Sequence, residues 1–190
     1  LLRSSIHVHP QRDSIYTVIV YDTSGCRNKD SVAISVRPIP SVYAGPDTLV
    51  CKGVEYPINA TSSVTTINWE PQTGLSSYSI LNPVFFYNDS VLYVLTATDS
   101  AGCSASDTLL IRVKGPTVDA GPDTTICPDI DYQIVATASD GSIIWSPAAV
   151  LSNDSTASPV FNYNQTVMYI IQVTDTNGCK AFDTLNIDIG

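Results

Sequence analysis

Apolar and polar residues alternate in short runs along this chain, as they do in β-strands that bury one face. Residues 54–60 follow this alternation, and residues 93–98 form a run rich in Tyr, Val, Leu and Thr. Residues 99–102 then suit a tight turn, with an Asp to cap the backbone and a Gly to adopt positive φ, and residues 108–113 suit its return strand. No stretch sustains the period of a helix. The pattern therefore predicts an all-β chain.

The chain also repeats itself with an offset of 76 residues and no gap. The sequence Ala-Gly-Pro-Asp-Thr occurs at residues 44–48 and again at residues 120–124. The same offset relates many rare residues, among them Cys51 and Cys127, Trp69 and Trp145, Tyr93 and Tyr169, and Cys103 and Cys179. Several short strands in a unit of about 76 residues favour a β-sandwich.

A third, partial copy precedes these two. An offset of 77 residues relates it to the following copy at Tyr16, Asp22, Gly25, Cys26 and Asp30. We therefore interpret the chain as a window on a longer array. Residues 1–38 are expected to be the C-terminal part of a repeat (unit 1), residues 39–114 a complete repeat (unit 2) and residues 115–190 a second complete repeat (unit 3).

Each complete copy has a single tryptophan, Trp69 or Trp145, near its middle. A sandwich buries a large aromatic side chain at this place, although tryptophan can also stack on a sugar. We expect core packing here. Tyr16, Tyr93 and Tyr169 open the penultimate strand of their copies, where a tyrosine corner hydrogen-bonds the backbone across the sandwich.

Charge narrows the choice of partners. Only 14% of the residues are charged, against about 25% in ordinary soluble proteins. The formal net charge is −9, which disfavours nucleic acid and anionic lipid as ligands. No apolar run approaches the roughly 20 residues that a membrane helix needs, so direct membrane insertion is not expected.

No arrangement of residues points to catalysis, a metal site or a cofactor. His7 and His9 lie in the partial copy, and Val84 and Phe86 occupy their positions in the next one. A Ser-His-Asp or Cys-His site repeated in every unit is therefore excluded, and a metal site at the His-x-His pair would need further ligands. Neither a Gly-rich phosphate loop nor a CxxC or HExxH motif occurs. The chain is not expected to be an enzyme.

The repeats resemble a known family of modules. The strings Ala-Gly-Pro-Asp-Thr, Trp-x-Pro and Tyr-x-(Val/Ile)-x-x-x-Thr-Asp-x-x-Gly-Cys are similar to PKD/immunoglobulin-like repeats, in particular the cysteine-bearing repeats of Bacteroidota surface proteins. Those proteins include gliding-motility adhesins exported by the type IX system. The resemblance implies tandem β-sandwiches outside the cell, no chemistry by the repeats themselves, and a role in adhesion or display.

Three functions stay open at this point. The first is an extracellular stalk or adhesin segment whose partners are neighbouring repeats, surface polysaccharide or other surface proteins. The second is an accessory module of a secreted hydrolase. The third is a carbohydrate-binding module, which would need a row of exposed aromatics that the sequence does not show. The number of repeats in the full-length protein separates the first two.

Five cysteines indicate oxidising surroundings and pose a pairing problem. Pairing inside each repeat would join Cys51 to Cys103 and Cys127 to Cys179. However, the first turn and the last hairpin turn of such a sandwich lie at opposite ends, beyond the roughly 7 Å that a disulfide allows between Cα atoms. The linker at residues 113–116 is short, so consecutive units abut. We therefore favour an inter-domain bond between Cys51 and Cys179, with Cys26, Cys103 and Cys127 pairing outside this window.

The same resemblance implies O-glycosylation at Asp-Ser or Asp-Thr followed by a small or apolar residue. Asp-Ser and Asp-Thr are also common in turns and at strand starts, so a structural role is equally compatible with these positions. The candidate hydroxyls are those of Ser14, Ser31, Thr48, Ser90, Ser100, Thr108, Thr124, Ser155 and Thr184.

Overall fold

The structure is a computed structural model and describes residues 5–190. Every regular element in that range is a strand, and the sequence-based prediction of an all-β fold is confirmed. Units 2 and 3 are immunoglobulin/PKD-like β-sandwiches in tandem. No helix in the described part of the chain is long and apolar enough to cross a membrane.

Unit 1 is a single antiparallel hairpin of β1 (Ser14–Tyr21) and β2 (Arg27–Ile34). Its apolar face is uncovered: Val18 and Val32 are 60% and 57% exposed. Leu95 and Leu109 stand at the corresponding positions of unit 2 and are 0% and 1% exposed. The other strands of a complete unit provide the cover that this hairpin lacks.

Unit 2 has one four-stranded sheet opposite two short ladders. The sheet has the order β4-β10-β9-β7, and the ladders are β3-β6 and β5-β8. The strands are β3 (Val42–Tyr43), β4 (Thr48–Cys51), β5 (Tyr56–Pro57), β6 (Thr61–Ser62), β7 (Thr66–Glu70), β8 (Val84–Phe85), β9 (Val91–Thr98) and β10 (Ser104–Lys114). The alternation at residues 54–60 gives only the two-residue β5, and the return strand begins at residue 104, earlier than its sequence pattern indicates.

Unit 3 repeats this topology, with a sheet of order β12-β18-β17-β15 and ladders β11-β14 and β13-β16. The strands are β11 (Val118–Asp119), β12 (Thr124–Ile126), β13 (Tyr132–Gln133), β14 (Thr137–Ala138), β15 (Ser142–Ser146), β16 (Val160–Phe161), β17 (Val167–Thr174) and β18 (Lys180–Ile189). In both units the first sheet strand pairs in parallel with the last, β4 with β10 and β12 with β18.

Each complete unit has its own hydrophobic core around the repeated aromatic residues. Trp69 is fully buried, packs edge-on against Tyr93, and donates its indole N–H to the carbonyl of Ile80 at 3.1 Å. Trp145 has the same environment, with Tyr169 at its edge. Core packing is therefore confirmed for both tryptophans, and no indole face is free to stack on a sugar.

The tyrosine corner is present in both complete units. The Tyr93 hydroxyl donates to the carbonyl of Thr73, and the Tyr169 hydroxyl donates to the carbonyl of Ala149 at 3.2 Å. In each case the acceptor lies 20 residues upstream. Burial raises the pKa of both phenols to about 12, and the neighbouring Tyr87 adds to this effect at Tyr93.

The repeated aspartates serve the backbone. In the last hairpin turn of unit 2, Asp99 Oδ1 accepts the N–H groups of Ala101 and Cys103, and Gly102 has φ +86°. Asp22 and Asp175 cap the equivalent turns. This capping role is the one that the sequence pattern indicates for Asp99 and its counterparts.

The Ala-Gly-Pro-Asp-Thr motif ties the first sheet strand of a unit to its last. Asp47 Oδ1 accepts the N–H of Leu110 at 2.9 Å, and Asp107 Oδ2 accepts the N–H of Ala44 at 2.8 Å. Asp123 and Asp183 make the same two bonds in unit 3. The parallel pairing beside the motif is thus fixed by two carboxylates as well as by its own ladder.

Candidate functional site: the stapled junction

A disulfide crosses the junction between the two complete units. It joins Cys51 of unit 2 to Cys179 of unit 3, with an S–S distance of 2.05 Å and a Cα–Cα distance of 5.3 Å. The two residues are 128 positions apart in sequence. This is the pairing that the sequence analysis favours over pairing within each repeat.

The sheet topology explains why the bond cannot form within unit 2. Cys51 ends β4 and lies level with Lys114, the last residue of β10. Cys103 lies just before the first residue of β10. From Cys103 to Lys114 there are 11 residue steps, which at about 3.3 Å each keep these two positions about 36 Å apart. We call the end of a unit that carries Cys51 its distal end, and the end that carries the last hairpin turn its proximal end.

Both cysteines stand on backbone that is held in place. Beyond Cys51, the N–H of Lys52 donates to the carbonyl of Lys114 at 2.8 Å, which extends the parallel pairing by one bond. On the other side, Asp175 Oδ1 accepts the N–H of Cys179 at 2.9 Å. Cys179 is buried, whereas Cys51 is half-buried. The bond therefore connects two rigid turns.

The linker is short and tied to both units. Only residues 115–117 separate β10 from β11. A Cβ atom on Gly115 would come within 3.3 Å of the Lys52 Cβ atom, so the linker runs closely along the distal turn of unit 2. Thr117 and Ser139 exchange two hydrogen bonds, of 3.0 and 2.9 Å, at the proximal end of unit 3. Two covalent connections, the linker and the disulfide, thus span one narrow junction.

An open cleft of about 630 Å³ lies at this junction. Unit 2 contributes Lys52 and Lys114, and unit 3 contributes Asp140 and Asp175. The cationic and anionic side chains therefore come from opposite sides, which favours contact between the two ends. No three His, Cys, Asp or Glu side chains of residues 5–190 cluster as metal ligands would.

The other three cysteines are free thiols at equivalent places. Cys26 and Cys103 follow the last hairpin turns of units 1 and 2, where Cys179 stands in unit 3. Cys127 directly follows β12 at the distal end of unit 3, where Cys51 stands in unit 2. Their pairing with cysteines outside the window stays a prediction.

The candidate glycosylation hydroxyls fall into two groups by accessibility. Three are half-buried: Ser14, Thr48 and Thr124. Six are exposed: Ser31, Ser90, Ser100, Thr108, Ser155 and Thr184. Among the exposed ones, the Ser90 hydroxyl accepts the N–H of Val113, and the Ser155 hydroxyl donates to Asp154. His7 and His9 are exposed and lie outside the sheet of unit 1.

Comparisons with known proteins show similarity of fold alone. No model of a protein family matches the chain, and no curated protein matches it by sequence. The insect immune protein hemolin has a TM-score of 0.49 at 12% identity, over 93% of this chain and 56% of that one. The chain thus spans just over half of the hemolin structure.

Two further solved structures are similar over much of the chain. The first two immunoglobulin domains of DIP-gamma have a TM-score of 0.42 at 10% identity, over 80% of this chain and 98% of that one. Protocadherin Gamma C5 EC1-3 has a TM-score of 0.38 at 11% identity, over 94% and 78% respectively. We draw no functional argument from these likenesses.

Proposed function

We propose that the chain is a non-catalytic, load-bearing segment of an extracellular stalk built from tandem β-sandwiches. One observation carries the proposal: the disulfide joins two units and does not lock either one internally. A bond inside a sandwich stabilises that sandwich. A bond between adjacent ends adds a second covalent connection at the junction between domains, where a chain of domains bends most easily.

The route of a tensile load through the oxidised protein supports this role. A pull on the chain ends passes along β4 to Cys51, across the disulfide to Cys179, and then along β18. The residues between the two cysteines, which include most of both sandwiches, lie outside that route. A disulfide-linked pair of units thus bears load without unfolding of the residues between the two cysteines.

We further propose that the same connection recurs along a longer array. Cys103 would pair with the distal cysteine of the unit before it, and Cys127 with the proximal cysteine of a unit after it. From the resemblance to Bacteroidota surface repeats, we propose that such an array stands on the cell surface and acts in adhesion or gliding. The O-glycans that the resemblance implies would be found on protein from the natural host.

Small-angle X-ray scattering tests the staple as a mechanical element. The reference protein carries Cys26→Ser, Cys103→Ser and Cys127→Ser, so that only the Cys51–Cys179 bond can form. The comparison protein adds Cys51→Ser and Cys179→Ser. We expect a broader distribution of inter-unit distances without the bond, together with an unchanged β-sheet circular dichroism spectrum. Identical scattering from the two proteins would refute a mechanical role for the disulfide.

A further inference from the structure

The solvent-facing side of the four-stranded sheet in unit 3 has an unusual surface. Four large apolar side chains point outward from β15, β17 and β18: Ile144, Met168, Ile170 and Phe182, which are 50%, 62%, 41% and 60% exposed. We call these four residues the unit 3 outer patch. Single exposed apolar residues are ordinary, but a connected group on one flat face is typical of an interaction surface.

The strand register shows that the patch is connected. Gln172 pairs with Ile144 on one side and with Phe182 on the other, so these three residues form one row across the sheet. Ile170 and Met168 follow on the same face of β17, one and two rows further along. Diagonal neighbours on a sheet face lie about 7–8 Å apart, within reach of long side chains. The patch therefore crosses three adjacent strands, β18, β17 and the edge strand β15.

The matching face of unit 2 is less apolar. Asn68, Leu92, Val94 and Ser106 occupy the four equivalent positions. Two apolar residues are thus replaced by polar ones in a sandwich of the same topology. Unit 2 shows that the fold does not need Ile144 and Phe182, so their presence in unit 3 calls for a partner.

Charge on the unit 3 face is sparse and ordered. The outward residues of β18 run Lys180, Phe182, Thr184, Asn186, Asp188, with one cation at the proximal end and one anion at the distal end. The outward residues of β12, β15 and β17 are uncharged. In a chain of net charge −9, this face is neutral, and two copies can approach along it with the least repulsion.

The order of those residues is self-complementary. Lys180 and Asp188 lie four positions on either side of Thr184. If two copies meet face to face with their β18 strands antiparallel and the two-fold axis at Thr184, Lys180 of each copy faces Asp188 of the other. Phe182 then faces Asn186, Met168 faces Gln172, and Ile170 of one copy faces Ile170 of the other, so the apolar contact is centred on Ile170. This is the arrangement of an isologous two-fold contact, with paired charges at the rim and apolar residues inside.

We propose that the outer face of unit 3 binds a second copy of this chain in this antiparallel two-fold arrangement. The proposal goes beyond the stalk function, because it joins arrays side by side and not end to end. Unit 2 lacks the required charges: Ser104 and Arg112 stand where unit 3 has Lys180 and Asp188. The lateral contact is therefore specific to unit 3, and it would gain strength by avidity if similar units recur along an array.

Sedimentation equilibrium tests the proposal on the full chain. All proteins carry Cys26→Ser, Cys103→Ser and Cys127→Ser, which prevents covalent dimers and leaves the staple intact. We expect a reversible monomer–dimer equilibrium. Lys180→Glu alone and Asp188→Lys alone should each weaken dimerisation about tenfold or more, and the double swap should restore it. A swap that restores nothing would overturn the antiparallel arrangement.

Two further variants test whether dimerisation depends on the unit 3 outer patch or on the open apolar face of unit 1. Ile144→Asn with Phe182→Ser introduces the residues that unit 2 already accommodates, so unit 3 should stay folded and lose dimerisation. Val18→Lys with Val32→Lys makes the open face of unit 1 polar and should leave dimerisation unchanged. A chain that is monomeric up to about 1 mM, or one whose association depends on Val18 and Val32 and not on the outer patch, would overturn the proposal.

Discussion

Units 2 and 3 have the same fold. They differ most clearly in the residues that they place at two positions of left-handed backbone. Gly53 and Gly74 of unit 2 have φ +77° and +76°. Asp129 and Val150 take their places in unit 3, with φ +56° and +65°. Asp tolerates this region, whereas a β-branched Val is strained there. The core residues of the two units correspond position by position. The comparison indicates that buried contacts determine the backbone conformation, even where a residue's own φ preference opposes it.

The largest expected loss of stability follows from replacing the buried tryptophan that both complete units have. Trp69→Ala and Trp145→Ala each delete a fully buried indole, its edge-on contact with a tyrosine and its hydrogen bond to a carbonyl. We expect a loss of about 3–5 kcal/mol in the unfolding free energy of the affected unit. Denaturant unfolding of the reduced protein, monitored by β-sheet circular dichroism, measures this loss, and the fluorescence of the remaining tryptophan shows that the other unit is unchanged. A small loss in either unit would contradict equivalent cores.

Alkaline pH should weaken both units in the same window. The folded pKa of Tyr93 and Tyr169 is about 12 and the unfolded value is 10.0. The folded state therefore retains these protons where the unfolded state has lost them, so stability is complete below pH 10 and falls as pH rises toward 12. The slope is about 1.4 kcal/mol per pH unit for each tyrosine. Urea unfolding at several pH values should show it, and Tyr93→Phe should remove it from unit 2 alone. A slope that persists in the Phe variant would contradict the assignment.

Replacing Gly74 of unit 2 by valine, the residue at the equivalent position of unit 3, tests how much a β-branched residue with positive φ lowers the stability. A Cβ atom at Gly74 would come within 2.6 Å of the Tyr87 Cβ atom, in addition to the unfavourable φ. Gly74→Val should therefore destabilise unit 2 by about 2 kcal/mol. Thermal unfolding of this variant beside Gly53→Asp, which places a tolerated residue at the other left-handed site, provides the measurement and its control. Equal stability of the Val variant and the parent would show that the turn relaxes freely.

The reverse exchange, in which unit 3 receives the glycine of unit 2, should change the stability least and should increase it. Val150→Gly relieves a left-handed β-branched residue but adds flexibility to the unfolded chain. We expect unit 3 to gain about 0.5–1 kcal/mol. The same thermal assay measures the change. A loss of stability would mean that the Val150 side chain makes a contact worth more than the strain it costs.

Much of the fold can be predicted from the sequence, because rare residues recur at a fixed spacing. The repeat identifies the buried tryptophans, the tyrosine corners and the capping role of Asp99 and its counterparts. The left-handed backbone at Val150 cannot be predicted from the residue itself, since a β-branched side chain disfavours positive φ. The role of Asp107 is also hidden from the sequence, because the backbone N–H that it accepts belongs to a residue 63 positions away.

The junction is predictable only in part. The distance between the two ends of a sandwich excludes an internal bond, and a short linker favours a neighbour. The close approach of Gly115 to Lys52, the mixed charges of the cleft and the self-complementary face of unit 3 depend on how strands align across the sheet. Such alignment follows from the tertiary structure, and no local pattern encodes it.

Single-molecule stretching from the two chain ends tests the central claim most directly. Residues 51 and 179 are 128 positions apart, so at about 3.3–3.6 Å per residue the staple conceals about 42–46 nm of chain. Unfolding of the oxidised protein should therefore end that much shorter than unfolding of the Cys51→Ser, Cys179→Ser variant. An internal pair such as Cys51 with Cys103 would conceal only about 17–19 nm. That shorter difference, or full extension of the oxidised protein, would contradict the stapled stalk.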